Sequence, residues 1–190
     1  EKIDKEYNNS RMSVEENERK IAETFDALDK KAKTWVKLSN KSLFNISIGR
    51  RIKKTAVNPD FNIPVYSANV FEPFGMIDKL LINDFSKDSV LWGIDGDWMV
   101  NVIPANEPFY PTDHCGVLRI KTSNILPKYM AHLLEEEGKR AGFNRSYRAS
   151  IGRIKSLSIQ IASIEGQRKA ISEIEVCEQI IKEAKTTMAG

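Results

Sequence analysis

Apolar residues recur at helical spacing near both ends of the chain and at strand spacing between them. Ile21, Phe25, Leu28, Ala32 and Trp35 follow one another at steps of four, three, four and three. Those steps draw one narrow stripe along a helix, flanked by charge as in a coiled-coil seam. Ser13, with Glu16 three residues later, makes a capping box and predicts a helix over 13–35. Residues 1–12 are polar and are expected to be disordered or linker-like. Near the other end, Ile164 and Ile171 stand seven apart, as do Ile174 and Ile181. Ala170, Cys177 and Ala184 repeat at the same interval, which predicts a second long helix over 163–187 and a tail at 188–190. Each stripe is too narrow for an interior and too long to stay wet. The two helices are therefore expected to pair, within one chain or between two, through Ile21, Phe25, Leu28, Ile164, Ile171, Ile174 and Ile181. Packing of each helix on the core is the alternative. The stretches Ser13–Lys20 and Ser163–Lys169 are also alike, a weak internal echo.

Between the helices the period changes to two. Trp35–Leu38, Leu43–Ile48, Ile63–Tyr66, Ser89–Ile94, Trp98–Ile103, Gly116–Ile120 and Leu157–Ile161 read as strands. Gly49 breaks the second of these, and Asp95-Gly96 suits a tight turn between the fourth and fifth. Pro127 suits the first position of a short helix over 127–138, with Gly138 and Gly142 at its exit. Trp92, Leu91, Val100, Val102 and Leu118 are expected in the core. The fold class is α+β: a mixed, β-rich module over 36–162 with short helices, flanked by two long coiled-coil-like helices.

Two clusters of basic residues lie in the β-rich stretch. The chain of 190 residues carries a net charge of only +3, so any polyanion-binding face must be local. Gly142–Lys155 holds Arg145, Arg148, Arg153 and Lys155 with Tyr147 among them and no acid. Gly49–Lys54 puts Arg50, Arg51, Lys53 and Lys54 directly after a strand. Cations neutralise phosphates, and an aromatic ring among them stacks or wedges. Ser67 and Asn69 follow the end of another strand, and Asn101 comes shortly after Trp98; asparagine and arginine read base edges well. Two solvated turns are the plainer alternative.

Other chemistry is poorly supported. Asn106-Glu-Pro-Phe109 departs from the amino-methyltransferase loop at Glu107, and Pro59-Asp60 lacks the rest of a nuclease motif. Asp113-His114-Cys115 has no second Cys/His pair, so no metal site is expected. His132 has no visible nucleophile partner, and turn chemistry accounts for Asp95 and Asp97. No catalytic constellation is legible. Cys115 and Cys177 make no disulfide framework, which points to a reducing, cytoplasmic setting. No apolar run has transmembrane length, no signal peptide is visible, and no membrane partner is expected.

Three stretches together resemble a known family. Ile63-Pro-Val-Tyr-Ser-Ala-Asn69, Thr112-Asp-His-Cys-Gly-Val-Leu-Arg119, and the passage from Tyr147 through Leu157–Ile161 into Ser163–Lys169 are similar to target recognition domains of restriction–modification systems. The likeness runs over about residues 35–185. It departs where Ile161-Ala162-Ser163 lacks the usual prolines and where Gly166 replaces a glutamate. The resemblance implies a half-size type I specificity subunit, or the C-terminal recognition module of a fused type IIG methyltransferase–nuclease. It implies sequence-specific recognition of double-stranded DNA without catalysis in this chain. Adenine methyltransferase and endonuclease modules, as partner subunits or parts of a longer chain, would methylate adenine N6 and cleave unmodified DNA. S-adenosylmethionine would belong to that methyltransferase module. A second recognition module or a homodimer is a further implied partner. Two other readings stay open: a protein-interaction module acting through its long helices, and a chain contributing directly to methyl transfer.

Overall fold

The computed structural model describes residues 2–189, with side chains from Lys5 onward. The first elements are α1 (Lys2–Asp29), β1 (Thr34–Lys37), β2 (Phe44–Ile48), β3 (Ile63–Tyr66) and β4 (Gly75–Ile77). Next come β5 (Ser89–Gly93), β6 (Val100–Ile103), β7 (Tyr110–Pro111) and β8 (Cys115–Ile120). The series ends with α2 (Pro127–Ala141), α3 (Ile151–Ser156), β9 (Ser158–Ile161) and α4 (Ile164–Ala189). The chain forms two compact units. One takes residues up to Thr34 together with residues from Gln160 onward; the other is Trp35–Ile159.

In the helical unit, α1 packs on α4. Val14, Phe25, Leu28 and Ala32 are buried on one side, and Ala170 and Ile174 on the other. Burial of each large aliphatic side chain contributes about 1.5–3 kcal/mol. Of the expected pairing residues, Phe25, Leu28 and Ile174 are buried, while Ile21, Ile164, Ile171 and Ile181 are half-buried at the margin. Gly166 meets Leu28, and the Lys185 ammonium reaches Glu18 at 3.8 Å, so the helices run antiparallel. A Cβ at position 166 would stand 3.2 Å from Leu28 Cδ1, a tight contact with the end of a flexible side chain. Two polar residues enter the seam: Asn17, and Gln167, whose amide donates to the Ala162 carbonyl at 2.8 Å.

The limits of these helices correct the sequence reading. The first helix begins at Lys2, not Ser13, so residues 2–12 are helix, not linker. Ser13 is interior, and its carbonyl accepts from Asn17 Nδ2. Glu16 pairs instead with Lys20 at 2.9 Å, and Arg11 with Glu15 at 3.5 Å; such i,i+4 pairs support a helix through polar sequence. α1 ends at Asp29, and Trp35 lies in β1, 64% exposed, off the seam. α4 runs through 188–189, where a tail was expected.

The other unit is built on an antiparallel sheet of order β2-β8-β5-β6. Trp92 pairs with Val100 on one side and Gly116 on the other. β5 is buried along its whole length, so it does not alternate as a one-faced strand would. Both of its faces are covered: Leu91 joins Val70, Ile103, Phe109, Cys115 and Val117 in one cluster, while Trp92 lies over Gly116 and under the 149 backbone. Trp92, Leu91, Val100 and Leu118 are core as expected; Val102 is only half-buried, on edge strand β6. A second sheet has the order β4-β3-β7, with β3 antiparallel to β4 and parallel to β7. β1 and β9 form a two-stranded ribbon. Pro127 opens α2 as expected, and Gly142 closes it at φ 76°.

Candidate nucleic-acid interface

The first basic loop leaves β2 through a constrained glycine. Gly49 is buried and donates its N–H to the Cys115 carbonyl at 3.2 Å; a side chain there would collide with the Pro111 carbonyl. Arg50 N–H then bonds Pro111 O at 3.1 Å. This ties the start of the loop to the 111–115 turn. Ile52 packs inward beside Val65, Ile77 and Tyr110. Arg50, Arg51, Lys53 and Lys54 are exposed, and none carries an ion pair among the described residues.

The second basic loop is bound down at almost every residue. Asn144 Oδ1 accepts from the backbone N–H of Ser146 at 2.7 Å and of Tyr147 at 2.9 Å. The Tyr147 ring stacks on Phe143, and the Arg153 guanidinium lies 3.9 Å from its centroid. Arg153 also donates to the Arg148 carbonyl at 2.7 Å. Ala149 is held from both directions: its N–H donates to Ile94 O, and its carbonyl accepts from buried Trp92 Nε1 at 2.9 Å. Ser150 caps the short helix α3. Arg145 is exposed at the loop tip.

Asp95 links the second loop to the 112–114 turn. Its carboxylate takes His114 Nδ1 at 2.8 Å and Arg148 at 3.3 Å. His114 in turn lines a cleft of about 130 Å³ with Arg51, Ile52, Ser67, Phe74, Thr112 and Asp113. Thr112 donates to Ser67 Oγ at 3.1 Å, fixing the end of β3 against the 112–114 turn. Arg51, Ser67, His114, Asp95 and Arg148 therefore form one continuous polar surface.

Other expected contact residues are occupied elsewhere. Trp98 lies off β6, which begins at Val100; its Nε1 donates to Glu135 O at 2.9 Å and its ring packs on Phe143. Asn101 donates to the Val70 carbonyl at 2.8 Å and is half-buried. Each satisfies a backbone carbonyl through its side-chain N–H. Asn69 is exposed, but its Oδ1 accepts from Phe71 and Glu72 N–H and shapes a turn. Asp95-Gly96 is not a two-residue hairpin turn. Six residues separate β5 from β6, because Ile94 bonds His114 and Ala149 before the chain reverses.

Asp95 and His114 are the residues that sequence reading weighed singly and did not connect. They lie 19 positions apart, and no spacing signal announces such a pair. Burial pushes the Cys115 thiol up to about 12, so it stays neutral and is a poor metal ligand. Among the described residues no group of three or more His, Cys, Asp or Glu side chains is arranged to hold a metal ion. No described helix is long and apolar enough to cross a membrane.

Residues 32–187 match the type I restriction modification DNA specificity domain. A putative type I specificity subunit N-terminus from Mycoplasma pneumoniae is 32% identical over 95 residues, half of each chain. The type I restriction enzyme MpnII specificity subunit of that organism is 29% identical over 124 residues, covering 64% of this chain and 37% of its own length. The type I restriction–modification S subunit of M. genitalium superposes with a TM-score of 0.69 at 16% identity, covering 98% of this chain and 54% of its own. The HsdS subunit of Thermoanaerobacter tengcongensis gives 0.62 at 16% identity, over 97% and 49%. The chain thus spans about half the length of these relatives or less. The chain belongs to the type I restriction modification DNA specificity domain family, which provides DNA target recognition in restriction–modification systems.

Proposed function

We propose that this chain reads part of a duplex DNA target through the surface that runs from the 50–54 loop, across His114 and Asp95, to the 145–153 loop. The observation that carries the reading is the Asp95 bridge: one carboxylate holds His114 and Arg148, and His114 shares a cleft with Arg51. Two cationic loops far apart in sequence therefore act on one ligand. Arg50, Arg51, Lys53 and Lys54 hold phosphates, because their charges are exposed and unpaired among the described residues. Arg145 and Arg148 approach the same duplex from the other loop, and Ser67 at the cleft between them offers a hydroxyl to a base edge.

Methylation of adenine N6, and cleavage of unmodified DNA, fall to methyltransferase and endonuclease modules outside this chain. S-adenosylmethionine binds the methyltransferase module, which extrudes the adenine from the stack because its amino group is otherwise paired there. A second recognition module or a second copy supplies the other part of the target.

Duplex binding measured against salt tests the reading. Each phosphate contact adds about 0.9 to the slope of log affinity against log salt. The wild-type chain should bind DNA with a steep slope, and a combined Arg50→Ala, Arg51→Ala variant with a shallower one at unchanged melting temperature. Equal slopes for the two proteins would remove the proposed face.

A further inference from the structure

The segment after β3 displays two phenylalanines in water beside the cationic cleft. Phe71 is 57% exposed and Phe74 50% exposed. The segment is held at each end. Ser67 is bonded by Thr112, and Ala68 lies close against Gly93 and Gly96. Val70 is fully buried, with its carbonyl fixed by Asn101. Phe74 N–H bonds Val65 O at 2.7 Å. Between these anchors stand only Phe71, Glu72 and Pro73. The exposed rings are thus a fixed presentation, with their ordering cost met by the fold.

We infer that the tip Phe71-Glu72-Pro73-Phe74 enters the major groove and determines part of the target by contact with base edges. The inference rests on the DNA reading above and names a specificity element for it. The tip carries no cation, and Glu72 would be repelled by phosphates, so it cannot serve as a backbone clamp. Its chemistry suits base edges: a phenyl ring packs on the C5-methyl of thymine, and a carboxylate accepts from the exocyclic amine of cytosine. Its surroundings supply the phosphate attraction, since Phe74 lines the cleft shared by Arg51 and His114. The rings therefore confer preference and the arginines confer affinity.

The test selects duplexes from a randomised pool with the wild-type chain and with Phe71→Ala, Phe74→Ala and Glu72→Gln variants. The variants should fold normally, because all three side chains are exposed. The selected motif should relax at one or two base pairs, with discrimination there falling by about ten-fold or more, while the salt slope stays at the wild-type value. A second arm needs no variant: replacing thymine by uracil in the selected duplex should weaken wild-type binding and leave Phe71→Ala, Phe74→Ala binding unchanged. An unchanged motif in all variants would overturn the inference while leaving the DNA reading intact. A shallower slope with the motif preserved would also overturn it, by assigning the tip to the backbone. Absence of salt-dependent duplex binding by the wild-type chain would overturn both.

Discussion

The two basic loops carry similar charge and are built in opposite ways. In 50–54 the backbone is anchored at Gly49, Arg50 and Ile52, and the cationic ends are left unpaired among the described residues. In 143–153 the cations belong to the structure: Arg153 braces Tyr147 and the Arg148 carbonyl, and Arg148 is paired with Asp95. A basic run in a sequence is therefore not a measure of charge available to a ligand. The first loop can give its charge to phosphates without cost to the fold. The second offers a shaped surface, on which only Arg145 and one side of Arg148 are free to act.

The largest effect should come from Gly49→Ala. The added methyl collides with the Pro111 carbonyl, and backbone on both sides must move, at a cost of about 3 kcal/mol. A thermal melt should show that loss, and DNA affinity should fall with it because Arg50 and Arg51 are displaced. A melting temperature equal to wild type would show that the glycine does not fix the loop.

Trp92→Phe acts on the other loop. It keeps an aromatic ring in the core but leaves the Ala149 carbonyl without its indole donor, at a cost of about 1–3 kcal/mol. Amide exchange should quicken at 147–151 and stay slow at 50–54. Equal acceleration in both loops would mean that the indole hydrogen bond is not a local anchor.

Arg148→Ala should have a smaller, mixed effect. The Arg148–Asp95 pair is half-exposed, and such pairs contribute about 0.2–1 kcal/mol. Stability should drop by no more than that, with DNA binding weakened at moderate salt. Last, the Arg50→Ala, Arg51→Ala pair should leave the melting curve in place while the salt slope falls by about 1–2, from about 0.9 per phosphate. Those two results together would give the sharpest form of the contrast.

Much of the scaffold was legible because it obeys simple periods. The seven-residue spacing of Ile164, Ile171, Ile174 and Ile181 marks α4, and Pro127 with Gly142 brackets α2. β2 and β9 were visible as alternating runs. Short elements escaped. β4, β7 and α3 are three, two and six residues long, too short for a period to declare itself. The polar first turns of α1 escaped because they carry no apolar stripe; their described side chains are mostly exposed, with an i,i+4 ion pair from Arg11 to Glu15. Within the candidate site, the charged loops could be read from composition. The roles of Trp98 and Asn101 could not, since each is decided by a distant carbonyl, at Glu135 and Val70. The Asp95–His114 bridge is likewise tertiary.

The three tryptophans sit at three depths, and this gives the protein a built-in set of optical reporters. Trp92 is sealed from water with its indole N–H bonded at 2.9 Å; Trp98 is half-covered at the foot of the 143–153 loop; Trp35 is open to solvent. Iodide should quench the red-edge emission of Trp35 and spare the blue component from Trp92. A ligand that settles on the second loop should change the intermediate component, from Trp98, before either of the others. One emission spectrum can therefore separate an event at that loop from melting of the sheet beneath it, with no added label.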